Sequence, residues 1–167
     1  MRVVLDIETD QLDASVVNCI VAKNVDTNVY TVFDPSNMHV FKNWSKDIDK
    51  YIMHNGLSFD APVLNRLLGV EIKPSQVTDT LILSQMFNPL REGGHSLGAW
   101  GDRFNFPKGS INSFATYTHE LKKYCQQDVD ITHKLYEHLK KEGQGFSKSS
   151  IDLEHQVRVI VDQQEKN

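Results

Sequence analysis

Apolar and polar residues alternate at the start of the chain. Val3, Leu5 and Ile7 fall on one face and Val4, Asp6 and Glu8 on the other, and both faces begin apolar, which predicts an inner strand of a covered sheet. Two β-rich stretches follow, Ser15 to Val25 and Asn28 to Phe33, joined by an Asp/Thr/Asn turn at 26–28 that suits a hairpin. Three strands in succession predict an antiparallel meander. Phe41 to Ile52 reads as a short amphipathic helix leading to the turn signal His54-Asn55-Gly56. Beyond it Pro62 lies in a first helical turn, Val63, Leu64, Leu67 and Leu68 recur at helical spacing, and Gly69 is a stop, so a helix begins close to Asp60. A short strand and a helix are predicted from about Asp79 to Asn88-Pro89, and a Gly-rich loop leads to a helix capped by Ser96. Residues 105–116 are aromatic, contain Gly and Ser, follow no period and read as a surface loop.

From Thr118 to Glu142 the period is helical. Leu121, Cys125, Asp128, Thr132, Leu135 and Leu139 repeat at alternating steps of four and three, which makes that stripe the predicted core face. It carries an aspartate in its middle. Residues 143–150 read as a linker, after which Ser149 and Asp152 offer a capping-box pattern for a last helix over 151–167 with apolar Leu153, Val157 and Ile160. That helix has no Gly or Pro stop. The expected organisation is therefore a domain over 1–142, a linker, and a helix leading into a longer polypeptide.

Composition narrows the class. A chain of 167 residues fits one domain with a real core, and its 40% hydrophobic and 24% charged residues are ordinary for a globular protein. No apolar run approaches the roughly 20 residues of a membrane span, and no export signal opens the chain, so a cytoplasmic setting without a membrane is expected. Cys19 and Cys125 lie far apart with no CxxC or Cys/His spacing, and are expected to be small buried residues rather than a disulfide or zinc site. A net charge of −4 argues against gripping long duplex DNA through the overall field. It leaves room for holding a short strand end through metal ions.

Candidate chemistry comes from acids where the pattern calls for apolar residues: Asp6 and Glu8 on the first strand, Asp60 at a helix entrance, Asp128 on a core stripe. Taken alone, Asp6 and Glu8 could be N-cap or solvated loop residues, Asp60 a helix N-cap and Tyr124 ordinary core packing, whereas Asp128 is less easily dismissed because a lone carboxylate on a core stripe is costly. Together, converging at one end of the sheet, the four carboxylates could hold two hard divalent cations about 4 Å apart, the arrangement used for in-line phosphoryl chemistry. The metals would compensate charge that is costly to bury unpaired. Oxygen-only ligands suit Mg²⁺ or Mn²⁺ rather than zinc. Asp6 is the natural bridging ligand, with Glu8 about 6.6 Å further along the same face. Tyr124 precedes Asp128 by one helical turn, so its phenol could orient an attacking water.

The segments LDIETDQLD, HNGLSFDAPVL and YCQQDVDIT resemble, in order and spacing, the three motifs of the DEDDy branch of DnaQ-like 3′–5′ exonucleases. Tyr124 in the Tyr-x-x-x-Asp spacing selects that branch over the one with His. DTLILSQMFNP, GGHSLGAWGDRF and LEHQVRVIVDQQEKN are similar to the proofreading domains of phage-type family A DNA polymerases, so the resemblance spans nearly the whole chain. It implies an RNase H-like α/β fold, a mixed five-stranded sheet flanked by helices.

The same resemblance implies that Asp6, Glu8 and Asp128 hold one metal, that Asp6 bridges to a second, and that Asp60 acts on the second largely through water. Tyr124 with Glu8 would orient the water that attacks the last phosphodiester and releases a nucleoside 5′-monophosphate. Thr9 and Leu12 would contact the terminal sugar and wedge between the last two bases, with Asn55 and Phe59 lining the strand-end pocket, a binding mode without sequence readout. The implied partners are a single-stranded or frayed DNA 3′ end and a family A polymerase domain in cis, for a monomeric, phage-encoded enzyme acting in the host cytoplasm. His54 and His95 are expected to be structural. The turn before Asp60 is one residue longer than in bacterial polymerase proofreading domains. The site does not itself distinguish the sugar, so an RNase D-like RNA trimmer is the enzymatic rival; an inactive strand-binding or scaffold module of a polymerase is the rival from another class.

Overall fold

The computed structural model describes residues 1–167. Strands β1 (Arg2–Thr9), β2 (Val17–Asn24) and β3 (Tyr30–Phe33) form the antiparallel meander, and β4 (Lys50–Met53) and β5 (Val77–Asp79) add parallel strands on the other side of β1. The sheet order is β3-β2-β1-β4-β5, so β1 is the central strand. Helices α1 (Phe41–Trp44), α2 (Asp60–Leu68), α3 (Thr80–Phe87), α4 (Leu97–Arg103), α5 (His119–Glu142) and α6 (Lys148–Glu165) cover the sheet. This is the mixed, helix-flanked five-stranded architecture expected from the sequence.

The alternation in β1 sorts its side chains between two cores. Val3, Leu5 and Ile7 join a cluster with Phe41, Tyr51, Ala61 and Leu64 on the face covered by α1 and α2. Val4 joins Cys19, Val21, Leu121, Cys125 and Val129 beneath α5. A third cluster, with Leu83, Leu97 and Trp100, packs α3 and α4 against Ile131, Leu135 and Leu139 on the C-terminal half of α5. Leu121, Leu135 and Leu139 are fully buried, and each contributes about 1.5–3 kcal/mol relative to exposure. Their sum fixes the rotation of α5 and exceeds the cost of the single carboxylate that the same rotation turns inward. Asp128 is thus held at the sheet by its neighbours' burial.

Three local expectations change. The segment Phe41 to Ile52 is not one helix: α1 ends at Trp44, a 3₁₀ turn covers Ser45–Asp47, and Lys50–Met53 is a strand. Tyr51, Ile52 and Met53 are all buried between β1 and β5, and parallel pairing on both sides overrides the helical period. The turn between β2 and β3 is wider than 26–28, closing through Asn28 N–H to Asn24 O, with Asn28 at φ 60°. The last helix starts at Lys148 rather than Ile151, because Ser147 is the cap: its Oγ accepts from Ser150 N–H, while Asp152 pairs with Lys148.

Helix α6 lies against the body through a face different from its apolar stripe. His155 is buried, Val159 packs on the main core, and Asp162 accepts from Ser58 Oγ at 2.6 Å. Leu153, Val157 and Ile160 point to solvent.

Candidate active site

The C-terminal half of β1 sets the first two acids. Asp6 pairs with Val21 and Glu8 with Cys19 on the face under α5. A bulge between Glu8 and Thr9 ends the ladder and re-aims the chain, as bulges at strand ends do. The following turn is closed by Asp10, whose carboxylate accepts from Ser15 N–H and Val16 N–H at 2.9 and 3.0 Å. Its pKa is lowered by those bonds, and its role is structural at the rim. Thr9 is buried and donates to Gln11 O, while Leu12 projects from the turn 93% exposed. Leu12 is therefore not a core residue.

The second segment is a turn held by Asp79. Asn55 adopts φ 61°, and a Cβ on Gly56 would stand 2.3 Å from Met53 Cβ, so only glycine fits there. The carboxylate of Asp79 accepts from Asn55 N–H at 2.9 Å, Leu57 N–H at 3.1 Å and Leu81 N–H at 3.0 Å. It caps α3 and clamps the turn at once. Phe59 takes the N-cap position of α2 and Asp60 the first helical position, with no side-chain cap bond. The N-cap reading of Asp60 is thereby replaced: its Oδ2 is buried with no hydrogen-bond partner.

Helix α5 brings the third segment. Asp128 is buried, Tyr124 half-buried one turn earlier, and Cys125 lies beneath β1. The Cys125 thiol is 3.4 Å from both the backbone oxygen and Oδ2 of Asp6. It is more than small apolar filling, since it donates to the central carboxylate. Burial pushes the thiol pKa well up, so it serves as a protonated donor. The Tyr124 ring meets Phe114 edge-on, with centroids 5.5 Å apart. Phe114 is anchored in turn by Asn18 Nδ2 donating to its carbonyl at 2.7 Å.

Electrostatically the site is overloaded with acid. Asp6 is pushed up to about 8, first by burial and then by Asp128; Glu8 is pushed up to about 9, by burial and then by Asp6. Burial and Asp6 raise Asp60 well above the carboxylate range. Burial also raises Asp128, against the pull of Lys108, whose Nζ is 3.0 Å from Asp128 Oδ2. Asp128 Oδ1, like Asp60 Oδ2, is buried without a partner. Two orphaned carboxylate oxygens and two strained acids beside them form a donor set suited to hard divalent cations, and Cys125, kept protonated, does not turn it into a zinc site.

Asp6, Glu8, Asp60, Tyr124 and Asp128 line one cleft of about 540 Å³ together with Thr9, Leu12, Asn55 and Phe59. All nine residues singled out in the sequence meet there. His54 lines it too, with Nδ1 2.8 Å from Thr80 Oγ1, and burial lowers it to about 4, leaving a neutral ring. His95 is bonded to Ser84 outside the cleft. Sequence reading missed three participants. Cys125 carried a signal, one helical step from Asp128 on the core stripe. Asp79 carried its position at a strand-to-helix junction. Lys108 lies in the stretch read as a surface loop, and its only mark is being the one Lys or Arg between Arg103 and Lys122.

A model of the family DNA_pol_A_exo1, a 3′–5′ exonuclease, matches residues 2–144. No curated protein matches the chain at a significant level. Among solved structures, Brucella melitensis NrnC with bound Mg²⁺ superposes with a TM-score of 0.67 at 20% identity over 95% of this chain and 85% of that one. The family B DNA polymerase of the archaeon Pyrobaculum calidifontis gives 0.62 at 19% identity, over 83% of this chain and 24% of the polymerase. Exonuclease X in complex with 5′ overhanging duplex DNA gives 0.56 at 16% identity, over 93% of this chain and 99% of that one. At these identities the likeness is one of fold, the RNase H-like arrangement described above. No helix is long and apolar enough to cross a membrane. With the family match running from the first strand through the whole of α5, and with it every segment that meets in the cleft, the chain belongs to the DnaQ-like 3′–5′ exonuclease family.

Proposed function

We propose that the protein removes nucleoside 5′-monophosphates from single-stranded or frayed DNA 3′ ends, with Asp6, Glu8, Asp60 and Asp128 holding two Mg²⁺ or Mn²⁺ ions. The observation that carries this reading is the pair of buried, partnerless oxygens on Asp60 and Asp128 in a cleft where Asp6 and Glu8 resist ionisation. Bound there, divalent metals supply Lewis-acid charge neutralisation at the phosphodiester and activate water. The chain's own residues do the rest. Cys125 orients the Asp6 carboxylate that would hold metal, and the Tyr124 hydroxyl, with Glu8, aligns the attacking water. Leu12, exposed at the rim, inserts between the last two bases; Phe59 and Asn55 wall the terminal nucleotide and Thr9 faces its sugar. Binding of this kind needs no base-specific hydrogen bond.

The family match supports DNA as substrate, and the likeness to a polymerase exonuclease supports a proofreading role in cis with a polymerase domain. The solvent-facing stripe Leu153, Val157 and Ile160 on α6 is in keeping with such a domain covering it. The rival reading, RNA trimming, shares the whole site. The test is a 3′-end degradation assay on matched single-stranded DNA and RNA oligonucleotides with Mg²⁺. Release of deoxynucleoside 5′-monophosphates, lost in EDTA and restored by Mg²⁺ or Mn²⁺, is expected; faster release from RNA would favour the rival, and rescue by zinc alone would contradict both.

A further inference from the structure

Lys108 is the only lysine or arginine that lines the cleft. Its ammonium is 3.0 Å from Asp128 Oδ2 and 5.3 Å from the centre of the Tyr124 ring, with the side chain one-third exposed. The main chain beneath it is fixed. Gln127 Nε2 donates to Pro107 O at 2.7 Å, Phe106 N–H donates to Gly101 O at 2.9 Å, and a Cβ on Gly101 would stand 2.8 Å from Phe106 O. A rigid anchor with a flexible four-carbon stem makes a point charge that moves while its base does not.

We propose that Lys108 is a mobile counter-charge: it neutralises Asp128 in the metal-free site, yields that carboxylate to a divalent cation, and then contacts the terminal phosphate of the substrate. The first step follows from charge. An ammonium and a divalent cation repel one another and cannot share one carboxylate oxygen at contact distance. Displaced from Asp128, Lys108 borders a cleft whose remaining side-chain charges are the acids proposed to hold metal and Asp10, whose carboxylate is already engaged by Ser15 N–H and Val16 N–H at the rim. The one new anion to arrive is the phosphodiester, and a lysine binds phosphate as a compact charge without demanding a fixed orientation. The second step rests on the exonuclease reading above; the first does not.

The test uses the full chain carrying Lys108→Gln, which keeps length and removes charge, with Lys108→Arg as the conservative partner. Titration with Mn²⁺ by calorimetry, without nucleic acid, is expected to show severalfold tighter metal binding for Lys108→Gln, because the internal competitor is gone. Binding of a single-stranded DNA oligonucleotide with a phosphorothioate at its last linkage, in Mn²⁺, is expected to weaken severalfold, with Lys108→Arg recovering most of the loss. A residue that merely packs the loop does not move the two affinities in opposite directions. Unchanged or weaker metal binding in Lys108→Gln would overturn the exchange, and unchanged DNA binding would overturn the phosphate contact. A wild-type protein that takes up Mn²⁺ but binds no 3′ end would overturn the exonuclease reading together with the phosphate contact, while the metal titration would still decide the exchange.

Discussion

The backbone N–H of Asp79 donates to Nε2 of His155 across 2.9 Å, tying α6 to the residue that clamps the turn before Asp60. Nδ1 of the same ring lies 2.8 Å from Ile151 O, so the proton sits on Nδ1 and the ring is neutral. The family match ends at residue 144, yet a residue of α6 supports the wall of the cleft. Removing the acceptor with His155→Leu strands a buried N–H, at a cost of about 1–3 kcal/mol, whereas a glutamine keeps an acceptor in reach. His155→Leu is expected to raise KM for an oligonucleotide more than it lowers kcat and to speed hydrogen exchange at Asn55 and Leu57, with His155→Gln close to wild type. Equal KM values for the leucine variant and wild type would count against this coupling.

The raised carboxylates predict how the metal-free protein responds to pH. Asp6 and Glu8 titrate near 8 and 9 in the folded chain but near 4 when unfolded, so between those values the folded state holds the extra protons. Stability is present below the unfolded values and is lost as pH rises through the folded ones. His54, lowered to about 4, opposes this only below about pH 6.5, where its unfolded form titrates. Thermal melts in EDTA should therefore fall from pH 7 to pH 9, and Mg²⁺ should flatten or reverse the fall. A melting temperature that climbs over that range in EDTA is the contrary result.

Neutralising an acid should separate activity from stability. Asp60→Asn removes a buried ionisable group that resists losing its proton and whose Oδ2 has no partner, and is expected to abolish cleavage while leaving the metal-free protein as stable as wild type or about 1–3 kcal/mol more so. Asp6→Asn is expected to behave alike. Near-normal turnover by either variant would remove these residues from the metal site.

Tyr124→Phe keeps the ring against Phe114 and loses only the hydroxyl. Metal affinity should be unchanged and cleavage slower by about 10²-fold, the scale at which misplacing a reacting group shows. Loss of metal binding in this variant would contradict the water-orienting role.

Leu12→Ala trims a side chain that is 93% exposed, so the melting temperature should not move. Cleavage of single strands should fall where the last two bases must be splayed, measured as the ratio of rates on stacked purine and flexible pyrimidine 3′ ends. Identical ratios in variant and wild type would exclude a wedge.

The parts of the molecule legible in the sequence are those where one period dominates. The stripe from Leu121 to Leu139 carried both the length of α5 and the inward placement of Asp128, and the alternation of Val3 to Glu8 carried β1. Lys50–Met53 was not legible as a strand because its three apolar residues are too few to show a period; partners on both sides decide its conformation. Lys108 was hidden for the opposite reason. Nothing in residues 105–116 repeats, so the path that lays them over Tyr124 is set by tertiary anchors such as Gln127 to Pro107. The outward turn of Leu153, Val157 and Ile160 was equally closed to pattern reading, since a polar residue, His155, takes the inner face through a hydrogen bond.

The central place of β1 in the sheet has one more consequence, for timing. Its acids precede Asp60 and Asp128 in the chain, and Asp128, proposed to complete the site, lies on α5, which leaves the ribosome after four of the six helices and every strand. Domains fold as units while chain synthesis proceeds over seconds. On the proposed reading, a nascent chain in which α5 is still unmade holds at most three of the four acids, so the topology itself keeps the site from cutting nucleic acid until α5 docks.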